Sequence, residues 1–226
     1  MKRQTSAIAA ILLLNLTPAH AEYDVFEPQR AMIHIGVQAV LTCNGLFTSN
    51  RTIEQVNAQE LKYIPGKFGV DPSKLVHIDN DVRGVAVSNE SGMTIRAIYR
   101  DGIGCVVLRS DQDFSVADTL PSIKLAPAPK NYATTPWPMG DATTDYQFNS
   151  AEQQQAINAV AEWAFNTPTD EQDTLSLVIV HRGNIMLERY AQGVNRDTKT
   201  RTWSTAKSVF ATLAGIKVDR KEMAVN

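Results

Sequence analysis

Ser204 and Lys207 are the two residues of this chain whose types and spacing could do covalent chemistry. They lie three positions apart at the start of an apolar run, so on a helix they share one face, with Cβ atoms roughly 5–6 Å apart. A serine hydroxyl becomes a strong nucleophile when an adjacent base takes its proton. A lysine amine can be that base in its neutral form, which burial or a second cation favours. The pair therefore predicts acyl transfer, with Ser204 as nucleophile and Lys207 as base.

The sequence around this pair favours a catalytic interpretation over a structural one. A chain of this length holds about one such pair by chance, and the alternative is a helix N-cap serine followed by a solvated lysine. Here a helix opened by a capping box at Ser150 and Gln153 precedes a predicted β-hairpin over 175–190 and a polar loop. The N–H of Ser204, at a helix N-terminus, could also stabilise a developing oxyanion.

With this order of elements, residues 149–226 resemble the start of the serine β-lactamase-like hydrolases. That group includes class C β-lactamases, low-molecular-weight penicillin-binding proteins, esterases of the same fold and aminohexanoate-oligomer hydrolases. The resemblance rests on Ser204-x-x-Lys207, the SxxK motif. It implies that Ser204 is acylated, that Lys207 accepts its proton, and that the substrate is a small-molecule amide or ester. It implies no metal and no organic cofactor.

Two further motifs of these hydrolases have no match in the sequence after Lys207. One is Tyr-x-Asn or Ser-x-Asn, which relays a proton to the leaving group, and the other is a Lys-Thr-Gly-like strand beside the site. We therefore expect an N-terminal fragment, a truncated gene product or a degenerate relative of a serine hydrolase, with little or no turnover. The substrate stays open between a β-lactam, a peptide, an ester and an aminohexanoate-like amide.

The first 21 residues predict a signal peptide. Met1-Lys2-Arg3 is positively charged, Ala7 to Leu16 is a short apolar core, and Ala19-His20-Ala21 has the small-x-small form of a cleavage site. The core is about half the length of a membrane span, although an uncleaved anchor is the alternative. We expect an exported protein, periplasmic or secreted, with no membrane span after cleavage.

Charge and cysteine content restrict the partners and the compartment. The net charge of −2 and the absence of long basic runs argue against nucleic acid as a partner. Cys43 and Cys105 are the only two cysteines, and in an oxidising compartment a lone pair usually forms a disulfide. The alternative is two separate buried thiols. The segments around Cys43 and Cys105 also loosely resemble the disulfide-bonded N-terminal segment of some exported members of the family.

The pattern along the chain predicts an α+β fold in two parts joined by a linker. Residues 22–120 form the N-terminal domain, 121–148 a proline-rich linker, and 149–226 the start of a β-lactamase-like domain. In the N-terminal domain we predict a helix from Thr52 to Leu61 and four strands: Val37–Cys43, Val82–Ser88, Met93–Tyr99 and Gly104–Leu108. We expect residues 22–120 to fold independently and 149–226 alone to be poorly stable, since an isolated hairpin is marginal in water.

Two other functions are weaker interpretations of the same sequence. A Ser-His-Asp triad would need one of His34, His77 and His181, but the chain has no Gly-x-Ser-x-Gly turn. A non-catalytic envelope protein is the second alternative. In that case the disulfide-bonded N-terminal domain binds a cell-wall or protein partner.

Overall fold

The computed structural model describes residues 24–62, 75–127, 129–166, 169 and 173–225. The predicted signal peptide lies outside these ranges. Within them the chain has the predicted α+β fold, with helices and two separate antiparallel sheets. The first sheet has four strands and the second has two.

The N-terminal unit is one long helix packed on the four-stranded sheet. The helix α1 spans Glu27–Cys43 and continues as a π-helical turn over Asn44–Thr48. The strands follow one another as a meander: β1 (Val76–Asp79), β2 (Gly84–Ser88), β3 (Thr94–Arg100) and β4 (Gly104–Val107). A second helix, α2 (Ile53–Val56), continues as a π-helical turn over Asn57–Leu61.

The core of this unit forms where one face of α1 meets β2 and β3. Ile35, Ala39 and Cys43 follow one another at four-residue intervals and are buried. A spacing of four places all three on one helix face. Opposite them lie the buried residues of the two central strands, Val85, Val87, Ile95 and Ala97. Val85 pairs with Ala97 and Val87 with Ile95, so the four share one face of the sheet.

The prediction of a strand over Val37–Cys43 is wrong, because these residues form the last part of α1. Pro28 stands in the first turn of this helix, where its missing N–H costs no hydrogen bond, and Glu27 complements the helix dipole there. The helical period of the apolar residues becomes visible only when the whole stretch from Glu27 to Cys43 is considered. A seven-residue window with two valines imitates a strand. Asn44 and Gly45, which follow this segment, lie in the π-helical turn.

The other predicted elements of the N-terminal unit are confirmed. Thr52 caps the helix that follows it: its hydroxyl accepts from the Gln55 N–H at 3.3 Å, and the Gln55 side chain accepts from the Thr52 N–H at 2.9 Å. The two strands predicted on either side of residues 89–92 pair as β2 and β3, and β4 follows. Strand β1 was not predicted. It is a four-residue edge strand that begins directly after Leu75, which has a positive φ of 59°.

Cys43 and Cys105 form the predicted disulfide, with their Cα atoms 6.0 Å apart. It joins the end of α1 to β4, and not two strands as predicted. Asn44 reinforces the same junction: its side-chain oxygen accepts from the Cys105 N–H at 3.1 Å and from the Thr48 hydroxyl at 2.9 Å. The helix end and the sheet are therefore held by a covalent bond and by hydrogen bonds.

Glu27–Thr48 is the one helical stretch of the described ranges that is long and apolar enough to cross a membrane, and 39% of its most apolar window is buried in the protein. The buried part is the face that packs on β2 and β3. A core helix has the same composition as a membrane span, so this helix is weak support for a membrane location.

The second half of the chain contains a helix, a hairpin and a final helix. They are α3 (Ala151–Phe165), β5 (Ser176–His181), β6 (Asn184–Tyr190) and α4 (Thr205–Asp219). The predicted capping box of α3 is present in part. The Ser150 hydroxyl accepts from the Gln153 N–H at 3.2 Å, whereas the Gln153 side-chain oxygen accepts from the Asn149 N–H at 2.8 Å rather than from the Ser150 N–H. Arg189 on β6 binds Glu162 on α3 at 2.6 Å and lies over the ring of Phe165. This ion pair, its stacking contact and the hydrogen bond from the Thr174 hydroxyl to the Ala164 carbonyl at 2.7 Å tie the helix to the hairpin and the residues that precede it.

Burial differs sharply between the two halves. Both core clusters lie in the N-terminal unit, whereas α4 has no buried residue. Four large apolar residues of α4 are exposed, with Phe210 at 72%: Val209, Phe210, Leu213 and Ile216.

The proline-rich segment before α3 contacts the hairpin and the loop that follows it. The Tyr146 hydroxyl meets His181 Nδ1 at 3.2 Å, and Asp141 pairs with Arg196.

We predict that replacing both cysteines, Cys43→Ala with Cys105→Ala, lowers the free energy of unfolding by about 4 kcal/mol, because the bond closes a long loop in the unfolded chain. Urea unfolding followed by circular dichroism measures this loss. Reductant should lower the midpoint of the unsubstituted protein to a similar extent and leave the double variant unchanged. An unaltered midpoint in the double variant would contradict the prediction.

A second expectation concerns the two halves separately. A polypeptide of residues 22–120 should unfold in one cooperative thermal transition, because both core clusters lie within it. A polypeptide of residues 149–226 should show none, since little of its apolar surface is buried. Differential scanning calorimetry of the two checks this, and a sharp heat-absorption peak from residues 149–226 would disprove it.

Candidate active site

Ser204 and Lys207 meet at the N-terminus of α4. Ser204 is the N-cap residue and Lys207 lies in the first turn, and the Lys207 Nζ donates to the Ser204 Oγ at 3.1 Å. Ser204 occupies the N-cap position, but its hydroxyl makes no hydrogen bond to the backbone N–H groups of the first turn, as a capping serine would. The three-residue spacing thus brings the Ser204 hydroxyl and the Lys207 amine into direct contact.

Both side chains of this pair are exposed to solvent. In water a lysine carries an ammonium group, which donates hydrogen bonds and cannot accept a proton. The arrangement therefore has the distance needed for proton transfer but lacks the burial that favours a neutral amine. The Lys207 side chain is thus solvated, as in the structural alternative of an N-cap serine followed by a solvated lysine.

The backbone of the first turn of α4 is organised around Ser204. The N–H groups of Thr205, Ala206 and Lys207 donate to the carbonyl oxygens of Thr202, Trp203 and Ser204, at 3.0, 3.2 and 2.9 Å. None of the described backbone hydrogen bonds uses the N–H of Ser204. This N–H is therefore the one that could bind an oxyanion formed by attack of the Ser204 Oγ.

The residue before Ser204 has an unusual backbone conformation. Trp203 has a φ of 46°, in the left-handed region that bulky residues rarely adopt. The guanidinium of Arg201 lies over its indole ring, 4.2 Å from the ring centroid. A left-handed residue reverses the chain direction sharply, so the Trp203 conformation determines how the loop enters α4.

The loop that leads to Ser204 is anchored on the N-terminal unit. The Ser49 hydroxyl donates to the carbonyl of Lys199, and Arg201 binds Glu60 at 2.8 Å. The other carboxylate oxygen of Glu60 binds Arg51 at 2.7 Å. The side chains of Arg51 and Glu60 are 3% and 7% exposed, whereas that of Arg201 is 24% exposed. A buried carboxylate thus holds the segment just before Ser204.

A cavity of about 270 Å³ lies beside these contacts, between the N-terminal unit and residues 199–202. It is lined by Arg51, Glu60 and Arg201 among others, and neither Ser204 nor Lys207 lines it. The cavity belongs to the junction between the two halves and not to the Ser204–Lys207 pair.

The other candidate chemistries gain no support from the described ranges. They contain no group of three His, Cys, Asp or Glu residues that could hold a metal ion. His181 contacts Tyr146, and His77 lies on the edge strand β1.

Sequence patterns do not indicate that Arg51, Glu60 and Arg201 form a group. Glu60 reads as one polar position of an amphipathic helix, and Arg201 as part of a polar loop. No spacing rule connects residues that are 141 positions apart. Only the folded chain brings their charges together.

No family model, no curated protein and no solved structure matches this chain. The interpretation of the site therefore rests on its own residues and geometry.

Tyr190, at the end of β6 where the loop to Ser204 begins, has a perturbed ionisation. Burial raises its pKa to about 12, and its hydrogen bond to the Glu188 carboxylate and the negative charge of that group act in the same direction. The folded state therefore favours the neutral phenol. The associated stability is fully present below the unfolded pKa of about 10 and is lost as the pH rises through the folded value.

We predict that one of the six tyrosines of the chain titrates near pH 12. Ultraviolet difference absorbance of tyrosinate measures this, and the late step should vanish in Tyr190→Phe. Glu188→Gln should move the step to lower pH, because the carboxylate charge no longer opposes ionisation. A titration curve unchanged by Tyr190→Phe above pH 10 would contradict the assignment.

Proposed function

We propose that Ser204 and Lys207 are the nucleophile and the base of a serine hydrolase of the β-lactamase-like class. The observation that carries the proposal is the 3.1 Å contact between the Lys207 Nζ and the Ser204 Oγ. The substrate is a small molecule with an amide or ester bond. No metal ion or organic cofactor takes part in the proposed reaction.

The proposed acylation uses these two side chains and one backbone group. A neutral Lys207 amine takes the hydroxyl proton of Ser204 as the Oγ attacks the carbonyl carbon. The negative charge that forms on the carbonyl oxygen is stabilised by the Ser204 N–H. The tetrahedral species then expels the amine or alcohol, which takes a proton from the Lys207 ammonium, and the acyl group stays on Ser204. Attack of water on this ester would regenerate the serine.

The proposal includes a location and a fold for the second half of the chain. The Cys43–Cys105 disulfide is typical of oxidising compartments, which supports an exported protein that acts in the periplasm or outside the cell. The order of α3, the β5–β6 hairpin and the Ser204 helix supports the proposed start of a β-lactamase-like domain.

We expect acylation to be slow, because the Lys207 side chain is exposed to solvent. Burial favours the neutral form of an amine, and the described residues around Lys207 do not bury it.

The test is labelling of the full chain by a fluorophosphonate, followed by peptide mass spectrometry to locate the adduct. We predict a single adduct on Ser204, which disappears in Ser204→Ala. Lys207→Ala should slow the labelling about 100-fold or more, the usual contribution of a positioned base. The matched control is Ser208→Ala, which removes an exposed serine of the same helix and should leave the rate unchanged.

A second variant separates base catalysis from simple charge. Lys207→Arg keeps a positive charge beside Ser204, but its guanidinium does not deprotonate. It should therefore be labelled as slowly as Lys207→Ala. Labelling of Lys207→Arg at the unsubstituted rate would show that the lysine acts only as a charge. Labelling that is absent, or that persists in Ser204→Ala, would disprove the nucleophile assignment.

The second candidate is a non-catalytic binding protein of the cell envelope. Two observations favour it: the Ser204–Lys207 pair is exposed, and both core clusters lie in the disulfide-bonded unit. Under this hypothesis residues 22–120 alone should bind isolated cell-wall material as well as the full chain does. Ser204→Ala should have no effect on that binding. Loss of binding on removal of residues 121–226 would argue against it.

A further inference from the structure

We propose that Glu60 is a positioning residue for Ser204, acting through Arg201 and Trp203. The inference rests on the proposed function, because the geometry that Glu60 would position is that of the Ser204–Lys207 pair. Its starting point is that both oxygens of one buried carboxylate are bound by arginines from opposite halves of the chain. Oε1 binds Arg51 at 2.7 Å, and Oε2 binds Arg201 at 2.8 Å.

The N-terminal side of this contact is rigidly supported. Arg51 is nearly inaccessible, and besides Glu60 it binds the Gln59 side-chain oxygen at 3.3 Å. Its own backbone N–H donates to the Gly45 carbonyl at 3.0 Å. Gly45 packs so closely on Val56 that a Cβ at this position would lie 2.4 Å from the valine Cγ2. The turn after α1 and the helix that carries Glu60 are therefore in close contact.

A buried carboxylate does not easily change its partners. Removing a charge from water is costly unless opposite charges and hydrogen bonds replace the lost solvation. With its side chain 7% exposed, Glu60 depends on the two guanidinium groups for this. The interaction that satisfies Glu60 also fixes the head group of Arg201.

Arg201 transmits this constraint to the residue before the nucleophile. Its guanidinium lies 4.2 Å from the ring centroid of Trp203, which has the left-handed φ of 46°. The conformation is intrinsically unfavourable for tryptophan, and such residues persist where surrounding contacts hold them. The Arg201 contact is one that holds the indole.

Trp203 in turn takes part in the start of α4. Its carbonyl accepts from the Ala206 N–H at 3.2 Å, and the carbonyl of Thr202 accepts from the Thr205 N–H at 3.0 Å. Rotation of the Trp203 backbone would break this turn and alter the direction of the Ser204 Oγ relative to Lys207. The path from Glu60 to the nucleophile therefore consists of one ion pair, one stacking contact and one turn.

The experiment uses the full chain labelled with 5-fluorotryptophan, and the variant Glu60→Gln. The chain has three tryptophans, so the ¹⁹F spectrum is simple, and Trp203→Phe assigns the resonance. The glutamine keeps the shape of the side chain but has only one acceptor oxygen and no charge. We expect the Trp203 resonance to shift or broaden. We also expect fluorophosphonate labelling of Ser204 to slow about tenfold or more, as small displacements of reacting groups do.

Two further variants make the result specific. Glu90→Gln makes the same chemical change on an exposed residue of the β2–β3 turn, and should alter neither readout. Arg201→Gln leaves the buried Arg51–Glu60 pair intact, so it keeps the test valid if Glu60→Gln does not fold. It should reproduce both effects. When Glu60→Gln and Arg201→Gln are combined, the labelling rate should equal that of Arg201→Gln alone, because Glu60 acts through Arg201.

Each outcome decides one of the two proposals. An unchanged Trp203 resonance in Arg201→Gln would overturn the inference. A shifted resonance with an unchanged labelling rate would also overturn it, since the contact would then be structural only. If the unsubstituted protein is not labelled at Ser204, the proposed function fails. The constraint on Trp203 is then supported or overturned by the ¹⁹F spectra alone.

Discussion

The packing of α1 on strands β2 and β3 is the interaction on which the rest of the structure depends. It forms the main apolar core, and the disulfide at its end fixes the helix to β4. From that end the chain passes through the π-helical turn Asn44–Thr48 to Ser49 and Arg51. It then forms α2 and the second π-helical turn, which contains Glu60. These are the groups that hold residues 199–201. The position of the loop before Ser204 is thus determined by an apolar core in which Ser204 takes no part.

Ion pairs and a hydrogen bond join the two halves of the molecule where residues 199–201 meet the N-terminal unit. Apolar packing tolerates small displacements, whereas a carboxylate bound by two guanidinium groups requires defined directions as well as short distances. A junction of this kind contributes little net stability compared with an apolar one, because desolvation offsets much of the attraction. It does give a defined geometry.

Sequence patterns predicted the elements that have a local cause. These elements depend on residues within a few positions of each other, and they are present: the helix that starts after Thr52, the cap at Ser150, and the hairpins around 89–92 and over 175–190. Val37–Cys43 was mistaken for a strand because the prediction used too short a window. The presence of only two cysteines predicts the disulfide, but it does not predict that the bond joins the end of a helix to a strand. The Arg51–Glu60–Arg201 group could not be predicted, because its members meet only after the two halves fold.

The geometry of α4 separates the Ser204–Lys207 pair from the apolar surface of the same helix. At about 100° per residue, Ser204 and Lys207 occupy one side, while Val209, Leu213 and Ile216 lie near the opposite side. Covering the apolar side would stabilise the helix without removing water from Lys207. In the proposed reaction, the desolvation of Lys207 must instead come from groups that face the Ser204 side, including the substrate. The stability of α4 and the proposed catalysis therefore depend on different surfaces of the helix, and a well-formed α4 would not be sufficient for the proposed reaction.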